Sequence, residues 1–140
     1  MVANSNVTIG ILEGPLVGDS LGASNADNAH RLGFCDSFRA LQREVYANAV
    51  SHGFYEHGPL NDGEKIALMH SELSEALEAL RAGNPPSEKQ PDISHAEEEL
   101  ADCVIRIMDY AEAKGWDLAH AIMAKHEFNR HRPYKHGKQF

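Results

Sequence analysis

The sequence predicts an all-α protein: an antiparallel four-helix-type bundle behind an irregular N-terminal arm. Three observations carry that prediction. Apolar residues recur at helical spacing through most of the chain after Asp36. Each periodic run opens on a helix-capping residue type and closes at glycine or proline. The links between runs are short, which sets neighbouring helices antiparallel.

Residues 1–33 stand apart. They are rich in Gly, Asn and Ser and carry few charges. Val7-Thr8-Ile9-Gly10-Ile11-Leu12 has the composition of a short strand with no clear partner. We expect this stretch to be an arm, only partly ordered or docked on a neighbouring subunit. Residues 34–140 form the helical domain.

The first helix is expected from about Ser37 to His52, with Asp36 as N-cap and Gly53 just past its end. Phe38, Leu41, Val45 and Ala49 share one face. The second runs from about Gly63 to Ala82. Asn61 caps it, and Gly83 with Pro85-Pro86 stops it. Its apolar stripe is Met69, Leu73, Ala76, Leu77 and Leu80. The third runs from about Ser94 to Lys114, opening on a Ser94-x-x-Glu97 capping box and closing at Gly115. Its stripe is Leu100, Val104, Ile107, Met108 and Ala111. The fourth runs from the cap Asp117 to about Arg130, and Pro133 bars continuation.

Composition narrows the function classes. An apolar fraction of 42% and a charged fraction of 24% are ordinary for a globular domain. No apolar run is long enough to span a bilayer, and no basic-then-apolar leader opens the chain. Cys35 and Cys103 lack the C-x-x-C spacing of zinc or redox motifs. These features point to a cytoplasmic protein away from membranes. A net charge of −8 argues against binding a nucleic-acid polymer. That charge is uneven: residues 125–140 carry five basic residues against the single acid Glu127, a net +4, which leaves −12 on the remainder.

Two acidic pairs stand out, Glu72-x-x-Glu75 and Glu99-x-x-Asp102. Residues three apart on a helix share a face, so each pair can aim two carboxylates at one spot. Both pairs flank the core stripes of consecutive helices. Carboxylates gathered at such a border are costly without a cation, and oxygen donors suit a hard ion such as Mg2+, with Mn2+ as substitute. A lone Glu-x-x-Glu is ordinarily a solvated surface; two pairs beside two stripes are not so easily explained. Asp92-x-x-His95 and Asp117-x-x-His120 have the acid-x-x-His spacing of di-iron bundles, but both open helices, where Asp also serves as a cap.

Beyond the acids, Lys125-x-x-x-Asn129-x-x-Arg132 continues into Pro133-Tyr134-Lys135-His136-Gly137-Lys138. Cations and a guanidinium there can clamp phosphate oxygens. Phe38, Tyr46, Phe54 and Tyr55 are the aromatics available to stack on a base, and Phe38 also fits the core.

Ile66-Ala67-Leu68-Met69-His70-Ser71-Glu72-Leu73-Ser74-Glu75-Ala76, then Glu98-Glu99-Leu100-Ala101-Asp102-Cys103-Val104, then Lys125-x-x-x-Asn129-x-x-Arg132, together resemble the MazG-like all-α nucleoside triphosphate pyrophosphohydrolases. The resemblance spans about Asp36 to Phe140. It implies an oligomerising α-helical bundle, a homodimer or homotetramer, that cleaves a nucleoside triphosphate to the monophosphate and pyrophosphate with Mg2+. It implies that Glu72, Glu75, Glu99 and Asp102 hold the metal, with Glu75 and Glu72 nearest the chemistry. Lys125, Asn129, Arg132, Lys135 and Lys138 would then meet the substrate phosphates. Where the family often has a further Glu before its first motif Glu, this chain has Ser71. Three other readings stay open: a nucleotide- or metal-binding bundle without turnover, a di-iron protein using His95 and His120, and an interaction module whose acids only solubilise it.

Overall fold

The computed structural model describes residues 25–56 and 58–134. Four helices follow in order: α1 (Asn25–Ser51), α2 (Asp62–Arg81), α3 (His95–Ala113) and α4 (Leu118–Arg130). Among the described residues the fold is all-α, with one isolated bridge pairing Pro86 and Ser94. The strand expected at Val7–Leu12 lies outside the described residues, as do Lys135 and Lys138.

Local chemistry sets most helix ends. The Asn61 side chain accepts the Glu64 amide at the start of α2. Ser94 and Glu97 exchange both bonds of a capping box at α3. The Asp117 carboxylate accepts the His120 amide at α4. Gly83 and Gly115 stop α2 and α3 at φ of 86° and 67°, a region where a side chain strains the backbone.

The first helix departs from expectation. α1 begins at Asn25, so residues 25–33 belong to the bundle rather than the arm, and Asp36 lies inside the helix rather than capping it. The cause is tertiary. Arg31 reaches Glu127 on α4 at 3.4 Å, and Arg39 grips Asp117 through Nη2 at 2.7 Å. The sequence also offers a start signal that the reading passed over: Ser24-x-x-Asp27 has the spacing of a helix cap, and Asp27 lies in the first turn of α1.

α2 and α3 run antiparallel and form the closest pair in the bundle. Their register reads from cross-links: Lys114 to Asp62 at 3.2 Å, Lys65 to Asp109 at 2.8 Å, and the Cys103 thiol to the Met69 carbonyl at 3.7 Å. Small residues line the contact. Ala76, Ala79, Ala96 and Cys103 are buried, which lets the two helices approach closely. α1 packs on α3, where Gln42 donates to Glu112 at 2.7 Å and to the Trp116 carbonyl at 3.1 Å; α4 packs on α1.

The core is small: Met69, Cys103 and Tyr110, with Leu60 and Ile107 against them. The expected stripes are only half correct. Met69, Ala76, Met108 and Ala111 are buried, whereas Leu73, Leu77, Leu80, Leu100 and Val104 are 47–58% exposed. The strip of α2 that meets α3 lies one flank over and runs through Glu72 and Ala79, so carboxylates enter the helix contact while leucines leave it.

Candidate metal centre

The carboxylates converge where α2 crosses the N-terminal half of α3. One oxygen each from Glu72, Glu75 and Glu99 lie within 4.8 Å of one another. Glu72 is 4% exposed and Glu99 3%, while Glu75 stays open to solvent. Two carboxylates removed from water so completely are stable only with charge compensation. Part of it comes from Arg106, whose Nε donates to Glu72 Oε1 at 2.5 Å, and part from His95, whose Nε2 lies 3.0 Å from Glu99 Oε1. The Glu99 carboxyl is nevertheless held above the usual carboxylate range, first by burial, then by Glu72 and by the charge of Glu75. Carboxylates gathered in this way could hold a metal ion.

A second group abuts the first: His95, Glu98 and Glu99 also present ligand atoms within 4.8 Å. Glu98 already has partners. It accepts from Ser87 Oγ at 2.6 Å and pairs with Lys89 at 3.1 Å, and the Ser87 bond, then Lys89, keeps its carboxyl below the usual range. The α2–α3 loop fixes this wall. Asn84 accepts the Ala96 amide at 3.0 Å, Pro85 accepts the His95 amide at 2.8 Å, and Ser87 donates its amide to Ile93 at 2.9 Å. A groove of about 450 Å³ opens beside the acids, lined by Ser74, Glu75, Glu78, Ala79, Ala82 and His95.

Of the predicted ligands, Glu72, Glu75 and Glu99 come together; Asp102, half-buried on the next flank of α3, falls in neither group. Lys125, Asn129 and Arg132 lie on or just after α4, which packs on α1, and among the described residues no ion pair links α4 to α2 or α3. Lys125 and Arg132 flank the Phe128 ring, at 4.7 and 5.7 Å from its centroid. The acid-x-x-His pairs do not assemble: Asp117 serves as cap and as partner of Arg39, and Asp92 joins neither group. Of the aromatics, Tyr55 is committed to the fold; it stacks edge-on against Tyr46 at 5.0 Å and donates to Asp109 at 2.7 Å.

Sequence reading missed Arg106, and it considered His95 only within a di-iron pattern that it set aside. Both carried a signal. His95 lies four residues before Glu99 and Arg106 seven after it, so all three share a face of α3.

Glu72, Glu75 and Glu99, or His95 with Glu98 and Glu99, would offer a divalent ion mainly oxygen donors, the second group adding one imidazole. Among the described residues no helix is long and apolar enough to cross a membrane. No family model matches the chain, and neither a curated protein nor a solved structure matches it.

Proposed function

We propose that this protein is a Mg2+-dependent nucleoside triphosphate pyrophosphohydrolase, a cytoplasmic enzyme that converts a nucleoside or deoxynucleoside triphosphate to its monophosphate and pyrophosphate. One observation carries the reading: Glu72, Glu75 and Glu99, the acids that the motif resemblance assigns to metal, present oxygens within 4.8 Å of one another.

Glu72, Glu75 and Glu99 would hold Mg2+, or Mn2+ in its place, with Asp102 supporting from the adjoining flank. The ion, when bound, supplies charge neutralisation and Lewis acidity at the triphosphate oxygens. The chain's own residues do the rest. Arg106 holds Glu72 in position, and His95 does the same for Glu99. Glu75 lies at the groove, where it can take the proton of an attacking water. Water adds at the α-phosphorus, and the bond to the bridging oxygen breaks as pyrophosphate leaves. Lys125, Asn129, Arg132, Lys135 and Lys138, which the motif resemblance assigns to the phosphates, would offset the leaving group's charge only if brought over to the acids from α4 and the segment after it.

A second reading, nucleotide or metal binding without turnover, is favoured by the packing of α4, which carries Lys125 and Asn129 and lies mainly on α1 rather than on the acid-bearing helices. One assay separates the two: incubation with a panel of nucleoside triphosphates and Mg2+, followed by measurement of pyrophosphate. Release with at least one nucleotide is the expected result. No release, with Mg2+ still raising the melting temperature, leaves the binding protein.

A further inference from the structure

The acids lie between two unlike neighbours, which the antiparallel course of α2 and α3 sets on opposite sides. Towards the α2–α3 turn runs the groove. It starts at Ser74 and Glu75 and passes Glu78 and Ala79 to reach Ala82, with His95 contributed by α3. From Glu75 to Ala82 is about 10 Å of helix. Towards the middle of the hairpin stands Arg106, again about 10 Å of helix beyond Glu99, with its Nε donating to Glu72 Oε1 at 2.5 Å.

A guanidinium holds its N–H donors in a planar fork. Glu72 takes only the Nε donor. Among the described residues Arg106 pairs with no second carboxylate, and its side chain is 42% exposed. A cation serving Glu72 alone would be best used in two parallel bonds to that carboxylate. The single Nε bond leaves the Nη1–Nη2 edge, whose geometry matches two oxygens of a phosphate, without a protein partner. Lys89, which also approaches the acids, is bound to Glu98 at 3.1 Å. Lys125 and Asn129 lie on α4, against α1.

We propose that Arg106 binds the terminal phosphates of the substrate, so that a nucleoside triphosphate lies along the hairpin in one direction. The nucleoside enters the groove, the α-phosphate meets Glu72, Glu75 and Glu99, and the β- and γ-phosphates reach Arg106. This rests on the pyrophosphohydrolase reading above and adds to it an orientation and a leaving-group site. Charge sets the direction. The groove lining holds the carboxylates of Glu75 and Glu78, the latter paired with Arg81, and neither lysine nor arginine. Such a lining repels phosphate oxygens and accepts the hydroxyl and N–H groups of a nucleoside. Arg106 offers donors only, and a charge that persists at every working pH. Pyrophosphate leaving on that side departs against a cation rather than against carboxylates.

Titration calorimetry in Mg2+ tests the assignment. The probes are pyrophosphate, the common nucleoside monophosphates, and the matching triphosphates whose α–β bridge is an uncleavable imido group. Wild type is expected to bind all three classes. Arg106→Lys keeps a charge beside Glu72 but loses the fork. It and Arg106→Gln are expected to weaken pyrophosphate and triphosphate about tenfold or more, while monophosphate affinity stays within about twofold. Ala82→Phe fills the groove and should do the reverse, weakening mono- and triphosphate and sparing pyrophosphate. Because Ala82 is exposed, that arm stands even if Arg106→Gln fails to fold. Equal weakening of all three classes by Arg106→Lys overturns the proposal and leaves Arg106 as a positioning residue for Glu72. Loss of monophosphate alone reverses the direction and overturns it too. Unchanged pyrophosphate affinity in both Arg106 variants, with turnover present in wild type, overturns this assignment and spares the hydrolase reading. A wild-type chain that binds none of the probes, while Mg2+ still raises its melting temperature, overturns both.

Discussion

Glu72 on α2 and Glu99 on α3 meet at the helix contact, both almost wholly removed from water, with Arg106 on the first and His95 on the second. Such a pair is unfavourable when both members are ionised.

Its first consequence is a pH dependence. The folded-state Glu99 carboxyl titrates above the ordinary value of 4.5, mainly because it is buried. The folded protein therefore binds more protons than the unfolded chain between that value and the raised one. Stability falls as pH rises through this window and stays low above it. Glu99→Gln removes the penalty. In metal-free buffer the variant is expected to melt higher than wild type at pH 8, with the difference closing towards pH 4.5. Added Mg2+ should raise the wild-type midpoint at pH 8 and leave that of the variant nearly unchanged. Thermal scans with and without EDTA read both effects.

Arg106→Gln should act in the opposite sense. It strips the cation from a buried carboxylate and costs the metal-free protein about 1–2 kcal/mol. A divalent ion can take over the neutralisation, so saturating Mg2+ or Mn2+ should shrink the loss. Urea unfolding of both proteins, with and without ion, measures it; an equal loss under both conditions would separate Arg106 from the ion.

Turnover distinguishes the acids. Glu75→Gln is expected to lower pyrophosphate release at least a hundredfold, the scale of a lost acid–base group, with the helical spectrum intact. Asp102→Asn, outside the converging trio, should lower it less. A larger loss at Asp102 than at Glu75 would move the reacting centre to the outer flank of α3.

A purely structural test lies at the far end of the hairpin. Asp109 accepts from Tyr55 at 2.7 Å and from Lys65 at 2.8 Å, and Lys65 lies 4.4 Å from the Tyr55 ring centroid. Burial and this carboxylate push the Tyr55 phenol far above its usual range. Asp109→Asn should cost about 2 kcal/mol, because Lys65 is left half-buried without its counter-charge. Asp62→Asn, which loosens the more exposed pair with Lys114, should change little. Chemical denaturation of the two variants side by side makes the comparison.

Helix ends were legible because their causes are local. Asn61, Ser94 and Asp117 cap, and Gly83 and Gly115 stop, through bonds reaching three or four residues. The start of α1 was legible but missed: Ser24-x-x-Asp27 has cap spacing, whereas the pairing of Arg31 with Glu127 could not be read from local sequence. The acid trio was legible in kind, since spacing sets which residues share a face. Which flank turns inward is decided by the neighbour, and the small contact residues Ala76, Ala79 and Ala96 favoured the flank with the acids. That is why Leu73, Leu77 and Leu100, expected inside, stand outside. The spacing that puts His95, Glu99 and Arg106 on one face was legible; that Arg106 reaches Glu72 was not, because Glu72 lies on the neighbouring helix.

The stitched turn between Gly83 and Ser94 has a kinetic corollary. Asn84, Pro85 and Ser87 tie it to the first turn of α3 and its flank, so the wall beside Glu99 stands before any ion arrives. A cation that bound there would meet a wall already in place. Amide hydrogens in this turn should accordingly exchange with deuterium at the same slow rate whether magnesium is present or withheld.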